Sequence, residues 1–186
     1  MTLPVAAALL RALWFVAEKV HAARHKVKPL DDRDGWSLKI LMAANLTVPA
    51  GVLVGFTELG RISVGGDYAG VLGLSMMLAG LFIRWAAIRT LGRYFTRVVT
   101  MLEGHRIVRV GLYRHLRHPS YTGYLLGELG LGVALWNWLS IVIIFAPVLA
   151  AMLYRIRVEE RALAENFGDE YVGYARGTKR LIPKVF

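Results

Sequence analysis

Residues Tyr121 to Ile156 read YTGYLLGELGLGVALWNWLSIVIIFAPVLAAMLYRI, an apolar run in which Glu128 is the one carboxylate and Arg155 the one cation. As a single straight helix it would extend over roughly 50 Å at about 1.5 Å per residue, against a hydrocarbon core of about 30 Å. The stretch therefore folds back on itself. The W-N-W at Trp136 to Trp138 supplies the turn: Asn137 tolerates the left-handed backbone conformation, and paired tryptophans suit the headgroup level. Each arm of about sixteen residues reaches across with little to spare, or falls short and is sheltered by its neighbours. Pro147 is placed to kink the second arm. Because the arms are antiparallel, the polar start of the hairpin, R-H-P-S-Y at Arg117 to Tyr121, must lie beside its end at Arg155.

The rest of the chain fits the same setting. Of 186 residues, 56% are hydrophobic and 19% charged, with a mean hydropathy of +0.46, and the apolar residues gather in blocks. That pattern marks a polytopic membrane protein. Three spans are expected in residues 1–91: Leu3 to Ala17, short and carrying Arg11; Leu38 to Leu59, with a kink at Pro49; and Tyr68 to Leu91, where Gly70, Gly73 and Gly80 invite close approach of a neighbouring helix. The N-terminal stretch lacks a basic start and a cleavage site, so it reads as a span rather than a signal peptide. With the hairpin, the expected fold is an all-α bundle of about five transmembrane helices in a single domain, 1–186, made of the three N-terminal spans, 1–91, and a second part, 92–186, that carries the hairpin.

Lys and Arg fall six in residues 19–39, eight in 84–117 and seven in 155–186, while 58–67 holds Arg61 alone. By the positive-inside rule the first three intervals are cytoplasmic, with the N-terminus outside. This distribution accounts for the net charge of +10 as membrane topology, with contacts to anionic lipid headgroups, and leaves no nucleic-acid reader module. The absence of cysteine removes disulfides, thiolate metal sites and a thiol nucleophile, and no metal site is expected.

Three polar clusters meet on the cytoplasmic face: E-G-H-R-I-V-R-V-G-L-Y at Glu103 to Tyr113, R-H-P-S-Y, and R-I-R-V-E-E-R at Arg155 to Arg161. Arg155 and Glu159 are four residues apart and so share a helix face. Together the clusters offer cations, carboxylates, ring nitrogens, phenols and helix-start N–H groups, the inventory that a charged small cofactor needs. Pro119 suits the first helical position, where its missing N–H costs nothing. Read singly, each residue has a plainer role as well. Arg114 and Arg117 can snorkel to lipid headgroups, Tyr113 and Tyr121 can anchor the interface, Glu159 and Glu160 can pair along their own helix, and His21 and His25 can be solvated loop residues.

The ordered motifs E-G-H-x-(I/L)-V-x-x-G-x-Y, R-H-P-x-Y-x-G, an apolar hairpin, R-x-x-x-E-E and F-G-x-E-Y, from Glu103 to the C-terminus, resemble the isoprenylcysteine carboxyl methyltransferase family. The resemblance implies S-adenosylmethionine as methyl donor, leaving S-adenosylhomocysteine. It implies a cofactor pocket lined by His105, Arg106, Ile107, Val108, Tyr113, His118, Pro119, Ser120, Tyr121 and Glu159, with Arg155 as the catalytic residue that holds the acceptor's carboxylate. A polar cofactor contact found in some members falls here on Val98. The implied acceptor is a lipophilic, isoprenylcysteine-like molecule drawn from the bilayer.

A carboxylate is ionised at pH 7 and attacks a sulfonium methyl without a general base, so catalysis reduces to alignment and desolvation. An amine acceptor, as in the related phospholipid methyltransferases, would need a base, with Glu160 or a histidine as candidate. A sterol-type NADPH-dependent reductase and a non-catalytic scaffold are the readings from other classes. Glu128, ionisable inside the first arm, is expected to face the acceptor gap as a substrate-binding residue; the alternative is a glutamate paired with arginine inside the bundle.

Overall fold

The computed structural model describes residues 2–24, 33–63, 66–183 and 185–186; His25, Lys26, Lys28 and Lys184 lie outside them. The described residues form an all-α bundle. Its elements are α1 (Leu3–Arg24), α2 (Ser37–Asn45), α3 (Thr47–Gly55), α4 (Gly66–Leu91), α5 (Pro119–Ala134), α6 (Trp138–Phe167) and α7 (Asp169–Gly177), with 3₁₀ turns at Gly92–Tyr94 and Gly111–Arg114. Three stretches are long and apolar enough to cross a membrane: Ser37–Gly55, Tyr68–Tyr94 and Trp138–Phe167.

The hairpin is α5 and α6, and the turn between them differs from expectation in one respect. Trp136 takes the left-handed conformation, φ 52°, while Asn137 is extended and caps α6 by accepting from the Ser140 N–H at 3.0 Å. The Asn137 amide also donates to the Leu59 carbonyl at 2.7 Å. An Asn at the cap position satisfies an orphan helix N–H, and its second bond ties the turn to the end of the α3 connection. The chain gains more from Asn137 as a tie than as the turn's strained residue.

Helix α5 has 16 residues, about 24 Å of rise, short of a hydrocarbon core. It is shielded instead: 11 of those residues are buried. The shelter comes chiefly from α4. A Cβ on Gly80 would sit 2.5 Å from the Gly123 carbonyl oxygen and 2.7 Å from the Gly127 nitrogen, and one on Gly130 would sit 2.7 Å from the Gly73 carbonyl oxygen. Backbones pack at such range only without side chains between them. Gly70 faces Leu3 of α1 instead.

The kink expected at Pro49 appears three residues earlier, as the break at Leu46 between α2 and α3. Pro49 has no N–H for the Asn45 carbonyl and its ring crowds that position, so the helix yields upstream of the proline. Helix α6 runs through Pro147 without a break. Helix α1 continues past Ala17 to Arg24 because the polar residues of its last turns find partners. The Glu18 carboxylate accepts from Arg84 Nε and from Trp14 Nε1. His21, expected to be solvated, packs edge-on against Trp85 with ring centroids 5.1 Å apart.

Candidate active site

Helix α5 begins at Pro119, the proline occupying the first helical position as expected. The residues just before it run beside the C-terminal segment as a short parallel pairing of Leu116 with Lys179. The Arg117 N–H donates to the Lys179 carbonyl at 2.7 Å and the His118 N–H to the Arg180 carbonyl at 3.1 Å. Those two backbone donors are therefore committed within the chain, whereas the sequence reading left the helix-start donors for a ligand.

Behind this segment stands Glu160, on α6. Its Oε1 accepts from Arg117 Nε at 2.8 Å and lies 3.3 Å from His118 Nε2, while Oε2 accepts from Arg180 Nη2 at 2.8 Å. The His118 ring, thus backed, stacks on Tyr121 at 5.4 Å with an interplanar angle of 3°. At the residue before Glu160, the Tyr121 hydroxyl donates to Glu159 Oε2 at 2.6 Å, and it accepts from Arg155 Nε, one turn earlier on α6, at 3.1 Å. Arg155 and Glu159 share a face, as their spacing required, and Tyr121 bridges them.

Arg155 is buried, and four of its five N–H donors are engaged. Besides Tyr121 they reach Asp34 Oδ1 at 2.8 Å, Ser37 Oγ at 2.9 Å and the Arg97 carbonyl. Asp34, which the sequence reading passed over, gathers three segments. It accepts from the Val99 N–H at 2.9 Å and the Leu38 N–H at 2.8 Å as well as from Arg155. Burial alone would raise the Asp34 carboxyl; the Val99 and Leu38 N–H groups, then Arg155 and Ser37, outweigh it and hold the group below its usual value.

Arg117, His118, Tyr121, Arg155 and Glu159 line a small cavity together with His105, Arg106, Ile107, Val108, Tyr113 and Ser120. Of the residues implied by the resemblance, Pro119 is the exception: it is buried at the helix start and does not reach the cavity. Val98 is on the wall, flanked by Thr96 and Thr100, which also line it; Tyr94 joins them from a segment that the motif reading did not single out, and Tyr171 and Tyr174 from F-G-D-E-Y-V-G-Y, a motif to whose tyrosines it gave no role. The His105 ring stacks on Tyr94 at 5.0 Å and meets the Phe167 edge at 5.6 Å. Burial lowers the His105 imidazole below its usual value, against the pull of Glu159, so the ring is neutral at pH 7. Burial pushes the Tyr113 phenol well above its usual range, and Glu159 and Tyr121 add to the rise.

A second cavity, about 760 Å³, opens on the other side of Arg155. Its wall is one face of α1, repeated at Ala8, Arg11, Ala12 and Phe15, together with Leu38, Leu41, Met42 and Asn45 of α2 and the adjoining part of α3. Phe95, Thr96, Tyr121 and Arg155 line both cavities and form the partition. Glu128 does not line the larger cavity, contrary to expectation. It is 2% exposed and pairs with Arg11 Nε at 2.8 Å, so the arginine is the member of the pair that reaches the wall.

The profile of the isoprenylcysteine carboxyl methyltransferase (ICMT) family matches residues 71–165, half of the chain and the part that carries most of α4, nearly all of the hairpin and all four partition residues. The chain belongs to this family. An isoprenylcysteine O-methyltransferase of Arabidopsis thaliana (form B) is 37% identical over 115 residues, covering 61% of this chain and 58% of that protein. The corresponding protein of Saccharomyces cerevisiae is 39% identical over 106 residues, covering 56% of this chain and 44% of that one. The solved structure of a eukaryotic intramembrane Ras methyltransferase, ICMT, superimposes with a TM-score of 0.57 at 27% identity, over 80% of this chain and 50% of that one. The chain thus spans less than two thirds of the length of these relatives. Like the intramembrane neighbour, this ICMT-family chain is an integral membrane protein, with the three candidate spans given above.

Proposed function

We propose that this chain is an S-adenosylmethionine-dependent carboxyl methyltransferase whose acceptor is a lipophilic, isoprenylcysteine-like molecule. The observation that carries this reading is the partition. A polar, aromatic cavity and a larger, mostly apolar one abut at Tyr121 and Arg155, the arrangement that a water-soluble methyl donor and a membrane-dissolved acceptor require.

The smaller cavity suits the donor by its chemistry. The buried atoms His105 Nδ1 and Tyr171 Oη have no hydrogen-bond partner among the described residues and both residues line it, so polar groups stand ready there at the cost of their own desolvation. The carboxylate of Glu159 and the faces of Tyr94, Tyr113 and Tyr121 favour a cation. S-adenosylmethionine, once bound, supplies an electrophilic methyl group. Val98 stands where a polar contact occurs in some family members, and Thr96 and Thr100 beside it offer hydroxyls in its place. The enclosed space is about 100 Å³, below the roughly 300 Å³ at which small-molecule sites begin, so the irregular stretch 102–110, beyond the contacts that hold Arg97 and Val99, moves outward to admit the ligand.

On the acceptor side Arg155 holds and orients a carboxylate. Asp34, Ser37 and the Arg97 carbonyl fix its guanidinium at the partition, and one N–H on Nη2 stays uncommitted among the described residues. An amine acceptor would need a base, and the candidate Glu160 is occupied by Arg117, His118 and Arg180. His105 is neutral, but it lines the smaller cavity only. Carboxyl methylation asks for no base and fits the groups present. Five passages are proposed, α1 at 22 residues and the sheltered α5 adding to the three apolar spans, with the Lys/Arg-rich side and the site facing the cytoplasm.

Calorimetric titration with S-adenosylhomocysteine, repeated on His118→Ala and Glu159→Ala, tests the donor site: binding to the parent protein and its loss in both variants is expected. A radiolabelled transfer assay comparing farnesylcysteine analogues with phosphatidylethanolamine tests the acceptor. Methylation of the amine alone would overturn the carboxyl reading.

A further inference from the structure

Glu128 was singled out in the sequence, and the site described above does not use it. Its partner does more. Arg11, held at Nε by Glu128, extends Nη2 to Asn45 Oδ1 and to Tyr124 Oη, each at 3.2 Å, and Tyr124 Oη also bonds Asn45. Arg11, Asn45 and Tyr124 all line the larger cavity. A belt of polar atoms thus crosses a wall that is otherwise largely aliphatic.

Its height can be read along α2. Arg155 bonds Ser37 Oγ at the start of that helix, and Asn45 is its last residue, eight positions on, roughly 12 Å at about 1.5 Å per residue. Between the two levels the cavity presents Leu38, Leu41, Met42 and Phe15, with Glu18, Lys19 and Arg84 also on its wall; past Asn45 it continues along Ala8, Val48, Val52 and Leu53. The apolar channel is therefore divided by a polar step part-way along.

We infer that Arg11 and Asn45 form a polar rung that sets the length of apolar chain the acceptor carries. This rests on the reading of the larger cavity as the acceptor site. A chain that ends at the rung lies chiefly against Leu38, Leu41, Met42 and Phe15 and stops short of Arg11 and Asn45. A longer chain must lie across guanidinium and amide groups, stripping them of water without replacing their hydrogen bonds. The enzyme accordingly prefers the shorter acceptors of a homologous series, and Glu128 acts through Arg11 as a positioning residue.

The test compares S-geranyl, S-farnesyl and S-geranylgeranyl derivatives of N-acetylcysteine as acceptors. One variant combines Arg11→Met with Glu128→Leu, so that neither charge is left buried alone; a second carries Asn45→Leu. The ratio of kcat/KM for the geranylgeranyl over the geranyl acceptor is expected to rise about tenfold in the paired variant, and to rise also in Asn45→Leu, with S-adenosylhomocysteine still bound. An unchanged ratio in variants that bind the nucleoside overturns the rung and leaves the methyltransferase reading standing. Loss of nucleoside binding in both variants assigns the cluster to folding and overturns the rung as well. If the parent protein methylates none of the three acceptors, the proposed function fails and the rung with it.

Discussion

The phenol of Tyr121 accepts a hydrogen bond from Arg155 Nε at 3.1 Å, which couples a residue at the first turn of α5 to one in the second half of α6. The same hydroxyl gives its own proton to Glu159. One oxygen therefore joins the group proposed to face the acceptor to the one proposed to face the donor.

Tyr121→Phe keeps the ring that stacks on His118 and deletes the bridge. Affinity for S-adenosylhomocysteine should stay within about threefold, while kcat/KM for a prenylcysteine acceptor falls about 10- to 100-fold, a loss of roughly 1.4 to 2.7 kcal/mol of transition-state stabilisation. Calorimetry and transfer kinetics on the same preparation would separate the two.

Glu160→Gln leaves Arg117, Arg180 and His118 facing a neutral amide in a site only 13% exposed at the Glu160 side chain. Removing one member of such a cluster typically costs about 3 kcal/mol. The thermal midpoint in detergent should fall by several degrees; an unchanged midpoint would show that the clamp is dispensable.

The contact between α4 and α5 predicts opposite outcomes for two glycines. At Gly80 a side chain meets the backbone of Gly123 and Gly127, whereas at Gly173, within α7, an added Cβ has nothing within 4 Å. Gly80→Leu should cost about 3 kcal/mol or more by forcing the helices apart. Gly173→Ala should add about 1 kcal/mol through helix propensity. Thermal unfolding of both variants side by side checks the contrast.

His105 makes stability depend on pH in a definite direction. Its folded-state value lies below the 6.5 of a free imidazole, so between those two values the unfolded chain binds the extra proton and stability is lost as pH falls. Above about 6.5 this contribution is flat. His105→Phe should flatten the part of the stability profile between pH 7.5 and 5.5 that this group causes. Asp34 has the usual carboxylate sign: its depressed value gives stability that is present above about pH 4 and lost below it, outside that window.

Admission of the donor through segment 102–110 has its own signature. Amide hydrogen exchange in that segment should slow when S-adenosylhomocysteine is added, while α5, already buried along most of its length, shows little change. Equal protection of both, or of neither, would argue against an outward-moving wall.

What the sequence made legible was whatever depends on neighbours in the chain: the fold-back of 121–156, the shared face of Arg155 and Glu159, and the small residues of α4. Partners distant in the chain were out of its reach. Asp34 is 121 positions from Arg155, and nothing local marks it as an ion-pair partner. Glu128 drew notice as a buried acid, yet its pairing with Arg11, 117 positions away, turned it from the cavity. The pairing of Leu116 with Lys179 was equally silent, since T-K-R-L carries no pattern that names its partner. Trp136 rather than Asn137 took the left-handed turn because the asparagine's side chain was worth more as a tie to Leu59.

The glycine-lined seam of α4 and α5 bears on how the protein meets different lipids. Helix α5 carries His118 and Tyr121 at its head, and its depth is registered by backbone contact with α4 rather than by its own fit to the acyl chains. Hydrophobic mismatch in a thinner or thicker bilayer then acts on the exposed faces of α4 and α6, which can tilt as a unit with α5 between them. Changes of membrane thickness should move the whole site up or down without altering its internal distances.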